Sequence, residues 1–169
     1  MRATVEATEL DLAKMAALID SEGNISISTT KSNPSFHSLQ ITVGNVQQTL
    51  LEWCRDHFGG AIYPVFYKKR PSFRRAPIKR WRIQGFNAAA MLERCLPYFI
   101  AKQEQADIAI AFQTTFDLPR ARVTPALREL REQYRLRLQS LAKKGPQQAP
   151  TVKPPQPGLG LQQGSLFAP

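Results

Sequence analysis

Between residues 24 and 43 polar and apolar side chains alternate in two successive runs, and this alternation constrains the fold more than any other feature of the chain. In the first run Asn24, Ser26, Ser28 and Thr30 fall on one face, with Ile25 and Ile27 on the other. In the second, Ser38, Gln40 and Thr42 alternate with Leu39, Ile41 and Val43. A period of two belongs to a strand with one wet face, so strands are predicted over 24–31 and 36–43. A second hairpin is predicted over 61–69 and 78–84, joined around Pro71.

Helices fill the remainder. The first is predicted over 9–20, where Thr8 with Asp11 three residues on makes a near capping box. The next spans 46–58, with Leu50, Leu51 and Cys54 on one face and Gly59 and Gly60 ending it. Two more fit 86–96 and 100–116, separated near Pro97. In 123–143, Thr124 precedes Pro125, and Leu127, Leu130, Tyr134, Leu138 and Leu141 form a stripe at helical spacing. The predicted class is α+β: an αββαββα unit with helices on one face of an antiparallel sheet, then a C-terminal helix.

One domain is expected over 1–143, and the Pro-, Gln- and Gly-rich residues 144–169 are expected to be a disordered tail. Cys54 and Cys95 have neither metal-ligand spacing nor a disulfide framework, which suits a reducing compartment. No apolar run approaches membrane-spanning length, and no charged-then-apolar signal pattern opens the chain. A soluble intracellular protein with no membrane partner is expected, cytoplasmic if prokaryotic and organellar if encoded in a plastid or mitochondrial intron.

The formal net charge of +10 favours an anionic partner. Its distribution narrows the choice. No Asp or Glu lies between Asp56 and Glu93, a window holding Lys68, Lys69, Arg70, Arg74, Arg75, Lys79, Arg80 and Arg82 with Tyr63, Phe66, Tyr67, Phe73 and Trp81 interleaved. The window straddles two predicted strands, which places the charge on a sheet. A two-stranded ribbon fits the DNA major groove, where Ser, Thr, Asn, Gln and Arg side chains read base edges. The candidate DNA contacts are Asn24, Ser26, Ser28, Thr30, Ser38, Gln40, Thr42, Tyr63, Tyr67, Lys69, Arg80, Arg82 and Gln84. Composition and alternation therefore indicate a basic sheet platform for nucleic acid, without a reaction.

The reaction comes from Met15-Ala-Ala-Leu-Ile-Asp-Ser-Glu-Gly-Asn-Ile-Ser-Ile27, which resembles the LAGLIDADG motif and its first strand. Ala16, Leu18, Ile19, Asp20 and Gly23 match outright, while Met15, Ala17, Ser21 and Glu22 stand for the leading Leu, first Gly, second Ala and final acid. The stretches Ile41–Asn45, Leu50–Trp53, Phe58–Tyr63, Arg80–Ile83 and Leu96–Ala106 are similar to later segments of the same family in order. The likeness spans about residues 8–116. No basic residue closely follows Asn45, a departure from some relatives.

The LAGLIDADG homing-endonuclease resemblance implies a saddle-shaped sheet and, with one motif copy, a homodimer. Ala13, Ala16, Ala17 and Asp20 would form the helix–helix seam, where small residues permit close approach. Each helix would deliver one Glu22 to the two-fold axis, there to hold Mg²⁺, with Mn²⁺ as a substitute and a backbone contribution near Ser21. Asp20 is read chiefly as structural, holding the helix end. Asn45 would orient active-site water, serve as a helix N-cap, or do both. Lys102 would stabilise charge at the scissile phosphate. His37 and His57 match no partners and are read as surface or packing residues. The implied activity is a metal-dependent double-strand break in a long pseudo-palindromic DNA site. The alternatives are a maturase acting on its own intron RNA and a non-catalytic DNA-binding protein on the same scaffold.

Overall fold

The structure, a computed structural model, describes residues 6–29, 36–65, 78–116 and 124–144. The chain runs α1 (Glu9–Glu22), β1 (Gly23–Thr29), β2 (His37–Asn45), α2 (Gln48–Phe58), β3 (Ala61–Pro64), β4 (Lys79–Gln84), α3 (Gly85–Cys95), a 3-10 turn (Leu96–Tyr98), α4 (Gln103–Thr114) and α5 (Pro125–Lys144). The predicted α+β class holds. The four strands form one antiparallel sheet in the order β1-β2-β4-β3, so β2 and β4 are central. The predicted tail beyond residue 144 and the loop around Pro71 lie outside the described residues.

Strand period explains the layering. Ile25, Ile41 and Ile83 stand in register across three strands, and Val43 stands opposite Trp81. All five are buried, along with Ile27 and Leu39. Helices cover this face, with α5 and α4 against β1, α3 against β2 and β4, and α2 against β4. The opposite face carries the polar set, as the alternation predicts, and no helix among the described residues packs on it. Burying the Trp81 ring still requires a partner for its N–H, which donates to Gly59 O at 2.8 Å. Gly59 and Gly60 turn at φ +77° and +81°, a region that disfavours side chains, and this stops α2.

The start of α1 is fixed as predicted. Asp11 N–H donates to Thr8 Oγ1 at 3.3 Å, and Thr8 N–H donates back to Asp11 Oδ2 at 3.0 Å. This is a complete capping box. The helix buries Leu12, Met15, Ala16 and Ile19.

The C-terminal helix is docked by polar groups as well as by Leu138. Arg131, only 5% exposed, donates to Thr115 Oγ1 and to Thr115 O, and its guanidinium lies 3.6 Å from the Phe116 ring centre. It thereby satisfies a carbonyl at the end of α4 that the helix cannot. His37 corrects the expectation that it lacks a partner. It occupies an inward position of β2, is buried, and its Nε2 lies 3.0 Å from Glu132 Oε2. Arg135 donates to both oxygens of the same carboxylate.

The Glu132 carboxyl is held down to about 2 from its ordinary 4.5, first by the Arg135 hydrogen bond and then by His37. A depressed carboxyl stabilises the fold above its unfolded pKa, and that stabilisation disappears as pH falls through the folded value. Glu132→Gln is therefore expected to flatten the melting temperature between about pH 4.5 and 2, where the wild type declines more steeply. Parallel melting curves for both proteins over that interval would reject the assignment.

Candidate active site and nucleic-acid interface

Three separate stretches of the chain converge where α1 meets the sheet: Asp20–Gly23, Asn45 and Lys102. Gly23 opens β1 directly after α1, and a Cβ there would lie 2.6 Å from Ile19 Cα. Only glycine permits that approach, so the strand leaves the helix without a spacer. Glu22 is left exposed at the helix end. Asn45, the last residue of β2, donates from Nδ2 to Glu22 Oε2 at 2.7 Å. Its Oδ1 accepts from Gln47 N–H at 2.8 Å. That second bond orients the amide, so that its NH₂ faces the carboxylate. Asn45 is thus not the cap of α2, whose N-cap position is Gln47. It connects the strand end to the acid.

Asp20 ties the end of α1 to the segment that precedes α4. Its carboxylate accepts from the backbone N–H groups of Ile100 at 2.7 Å, Ala101 at 3.2 Å and Lys102 at 2.9 Å. This fastens the 100–102 turn beneath α1 and places the Lys102 side chain. Lys102 Nζ donates to three carbonyls, Ile19 O at 2.6 Å, Asp20 O at 3.0 Å and Gly23 O at 2.7 Å. An ammonium has three donors, and here all three are used. Lys102 therefore caps the C-terminus of α1, where carbonyls lack helical partners and the helix dipole is negative. The resemblance places Lys102 at the scissile phosphate; in this structure its three donors face the carbonyls of Ile19, Asp20 and Gly23. Burial pushes its pKa down and the nearby Asp20 charge pulls it up. Ser21 turns its hydroxyl back to Ala17 O and Leu18 O.

The seam expectation needs a correction at Ala16, which is fully buried within the chain. At roughly 100° per residue, Ala16 lies with Leu12, Met15 and Ile19, whereas Leu10, Ala13, Lys14, Ala17 and Ser21 share the opposite arc. Leu10 is 63% exposed on that arc, and Ala17 is exposed as well.

The outer face of the sheet gathers the predicted contacts in rows. Asn24, Thr42, Arg82 and Ala61 stand abreast, Ser26, Gln40 and Gln84 form the next row, and Gly44, Arg80 and Tyr63 another. Ser28 pairs with Ser38 toward the hairpin end. Thr30, Tyr67 and Lys69 lie outside the described residues. An open depression of about 690 Å³ is lined by Asn24, Gln40, Thr42, Tyr63, Pro64, Val65, Arg80 and Arg82. The Arg82 guanidinium carbon lies 4.4 Å from the Tyr63 ring centre. None of the four strands contains Asp or Glu, so the field over this face is positive. Among the described residues no three His, Cys, Asp or Glu side chains cluster as metal ligands, and no helix is long and apolar enough to cross a membrane.

Sequence reasoning missed the carbonyl cage around Lys102 and the His37–Glu132 pair. A histidine on the inward parity of a strand was the available signal for the latter, since a buried imidazole requires a partner.

No protein-family model and no curated protein sequence matches the chain. Solved structures do. The homing endonuclease I-CvuI in complex with its target superposes with a TM-score of 0.62 at 18% identity, covering 79% of this chain and 82% of its own. The archaeal intron-encoded homing endonuclease I-Vdi141I, complexed with DNA, gives 0.62 at 14% identity, covering 81% and 87%. The LAGLIDADG meganuclease I-AabMI, bound to uncleaved DNA, gives 0.51 at 19% identity, covering 77% of this chain and 42% of its own. The chain therefore has the LAGLIDADG homing-endonuclease fold.

Proposed function

We propose that the protein is a site-specific DNA endonuclease that dimerises through α1 and cuts both strands of a long pseudo-palindromic site with Mg²⁺, for which Mn²⁺ can substitute. One observation carries the reading. The exposed Glu22 carboxylate, held by Asn45, stands at the end of the same sheet whose open face is polar, basic and free of acids.

The donor set fits hard divalent cations, but only in part within one chain. Glu22 offers a hard carboxylate oxygen, and the amide of Asn45 engages only Oε2. One carboxylate is too few, and a second copy related by a two-fold axis would bring another. Two such acids close together repel each other unless cations lie between them. Divalent ions there would supply Lewis acidity to the phosphate and lower the pKa of the attacking water. The protein's own part is to hold two carboxylates at fixed separation and to lay the scissile phosphates across them. Asp20 and Lys102 fix the helix end, Asn45 fixes the carboxylate, and the sheet rows fix the register of the duplex. The crystal of I-CvuI with its target was obtained with 2 mM Ca.

The dimer reading rests on the free arc of α1. Ala13 and Ala17 are small enough for close helix approach. Leu10 lies on the same arc, and Ile100, 93% exposed, sits beside Asp20. Ala17→Arg places a charge on the seam without touching the core. It is expected to give a folded monomer that no longer makes double-strand breaks. Sedimentation at micromolar concentration checks this. A monomeric wild type that cuts normally rejects the dimer. The test of the whole reading is incubation with the uninterrupted DNA that flanks the gene, plus Mg²⁺, where a single double-strand break is expected.

A further inference from the structure

The two arginines of β4 are not equivalent. Arg80 is exposed and stands between Gly44, which has no side chain, and Tyr63. Arg82 is half-buried between Thr42 and Ala61, and its guanidinium lies 4.4 Å from the centre of the Tyr63 ring. Tyr63 faces Arg80 in the strand register, so its ring reaches Arg82 diagonally across β3 and β4. The short Ala61 side chain beside Arg82 leaves room for this.

The contact has a consequence for recognition. Stacking occupies the face of a guanidinium and leaves its N–H donors, which lie in its plane, free. No hydrogen bond to a described residue engages the Arg82 donors, and no strand acid competes for them. The ring also removes rotamers from a long side chain before any ligand binds, which lowers the ordering cost of binding. A planar fork restrained by a ring beside an open depression can match the O6 and N7 acceptors of guanine. An unrestrained, exposed arginine suits a phosphate oxygen, which carries no sequence information.

Resting on the DNA-binding reading above, we infer that Tyr63 is a positioning residue that holds the Arg82 fork ready for one guanine per half-site, while Arg80 anchors the backbone. The pair then sets one base of the target.

The test uses duplex DNA with a randomised central segment, selected by the full-length wild type, Arg82→Ala, Arg80→Ala, Tyr63→Leu and Tyr63→Phe, with Ca²⁺ present to limit cutting. The wild type is expected to enrich a site with guanine at one position of each half. Arg82→Ala should lower that preference about fivefold to 100-fold at that position alone. Tyr63→Leu should lower it about two- to fivefold, and Tyr63→Phe, which keeps the ring, should retain it. Arg80→Ala should weaken every sequence alike and reduce the salt dependence of binding by about one phosphate contact. Should the wild type enrich a site while Tyr63→Leu and Arg82→Ala return the same base preferences, the proposal falls and the DNA-binding reading stands. A loss confined to Arg80→Ala would overturn it equally. A wild type that retains no duplex removes the DNA-binding reading, and the proposal with it.

Discussion

Glu22→Gln should bind its DNA site at least as tightly as the wild type and cut it roughly a thousandfold or more slowly, a barrier increase of about 4 kcal/mol. The substitution is a clean test because the local geometry survives it. A glutamine carbonyl oxygen can still accept from Asn45 Nδ2, as Glu22 Oε2 does at 2.7 Å. The backbone turn into β1 depends on Gly23 and is untouched. What disappears is negative charge, and with it the attraction for hard cations. Binding gains from the same change, since one carboxylate fewer faces the phosphates. Ca²⁺ should support binding of the wild type with little cutting, because its looser coordination suits the chemistry poorly. A gel-shift titration beside a plasmid-cutting time course measures both quantities. Cutting at the wild-type rate by Glu22→Gln in Mg²⁺ would move the active site elsewhere. Asn45→Ala should act in the same direction but more weakly, by losing the hydrogen bond that orients the acid.

The contrast between legible and hidden features follows from the range of the interactions. The sheet rows were readable because the period of two is local: Asn24, Thr42 and Arg82 fall on the outer face by parity alone, and pairing then sets them abreast. The Thr8–Asp11 box and the Gly59–Gly60 stop were readable for the same reason, each being a helix-end feature with a local signature. The Ala16 error shows the limit. Ala13, Ala16, Ala17 and Asp20 share an arc at helical spacing, but the edge of that arc that enters the core is decided by what packs on it. Here Ala16 goes inside and Ala17 stays outside. His37 and Glu132 lie 95 positions apart, and no local pattern could pair them. Lys102 is the sharpest case. Its position in the chain resembles that of a phosphate-facing lysine, whereas its environment is set by the 100–102 turn that Asp20 fastens 80 residues away and more.

That environment supports the second large effect. Lys102→Met should lower unfolding stability by about 1–3 kcal/mol in protein free of DNA and metal, because three carbonyls at the end of α1 lose a charged donor. The side chain is half-buried, so water can repair part of the loss and the lower half of that range is the better expectation. Lys102→Arg should not restore it. A planar guanidinium cannot converge on Ile19 O, Asp20 O and Gly23 O, all within 2.6–3.0 Å of one nitrogen. Asp20→Ala should be worse than either, since it leaves three backbone N–H groups of the 100–102 turn without their acceptor and releases the lysine as well. All three variants disturb the backbone that carries Glu22, so cutting should fall further than the loss of folded protein accounts for. Urea unfolding without ligands separates this role from a direct one on the scissile phosphate. A transition-state cation would leave the unfolding curve of Lys102→Met unchanged and slow only the cutting. A cap shifts the curve first, and the rate follows because the acid has lost its support.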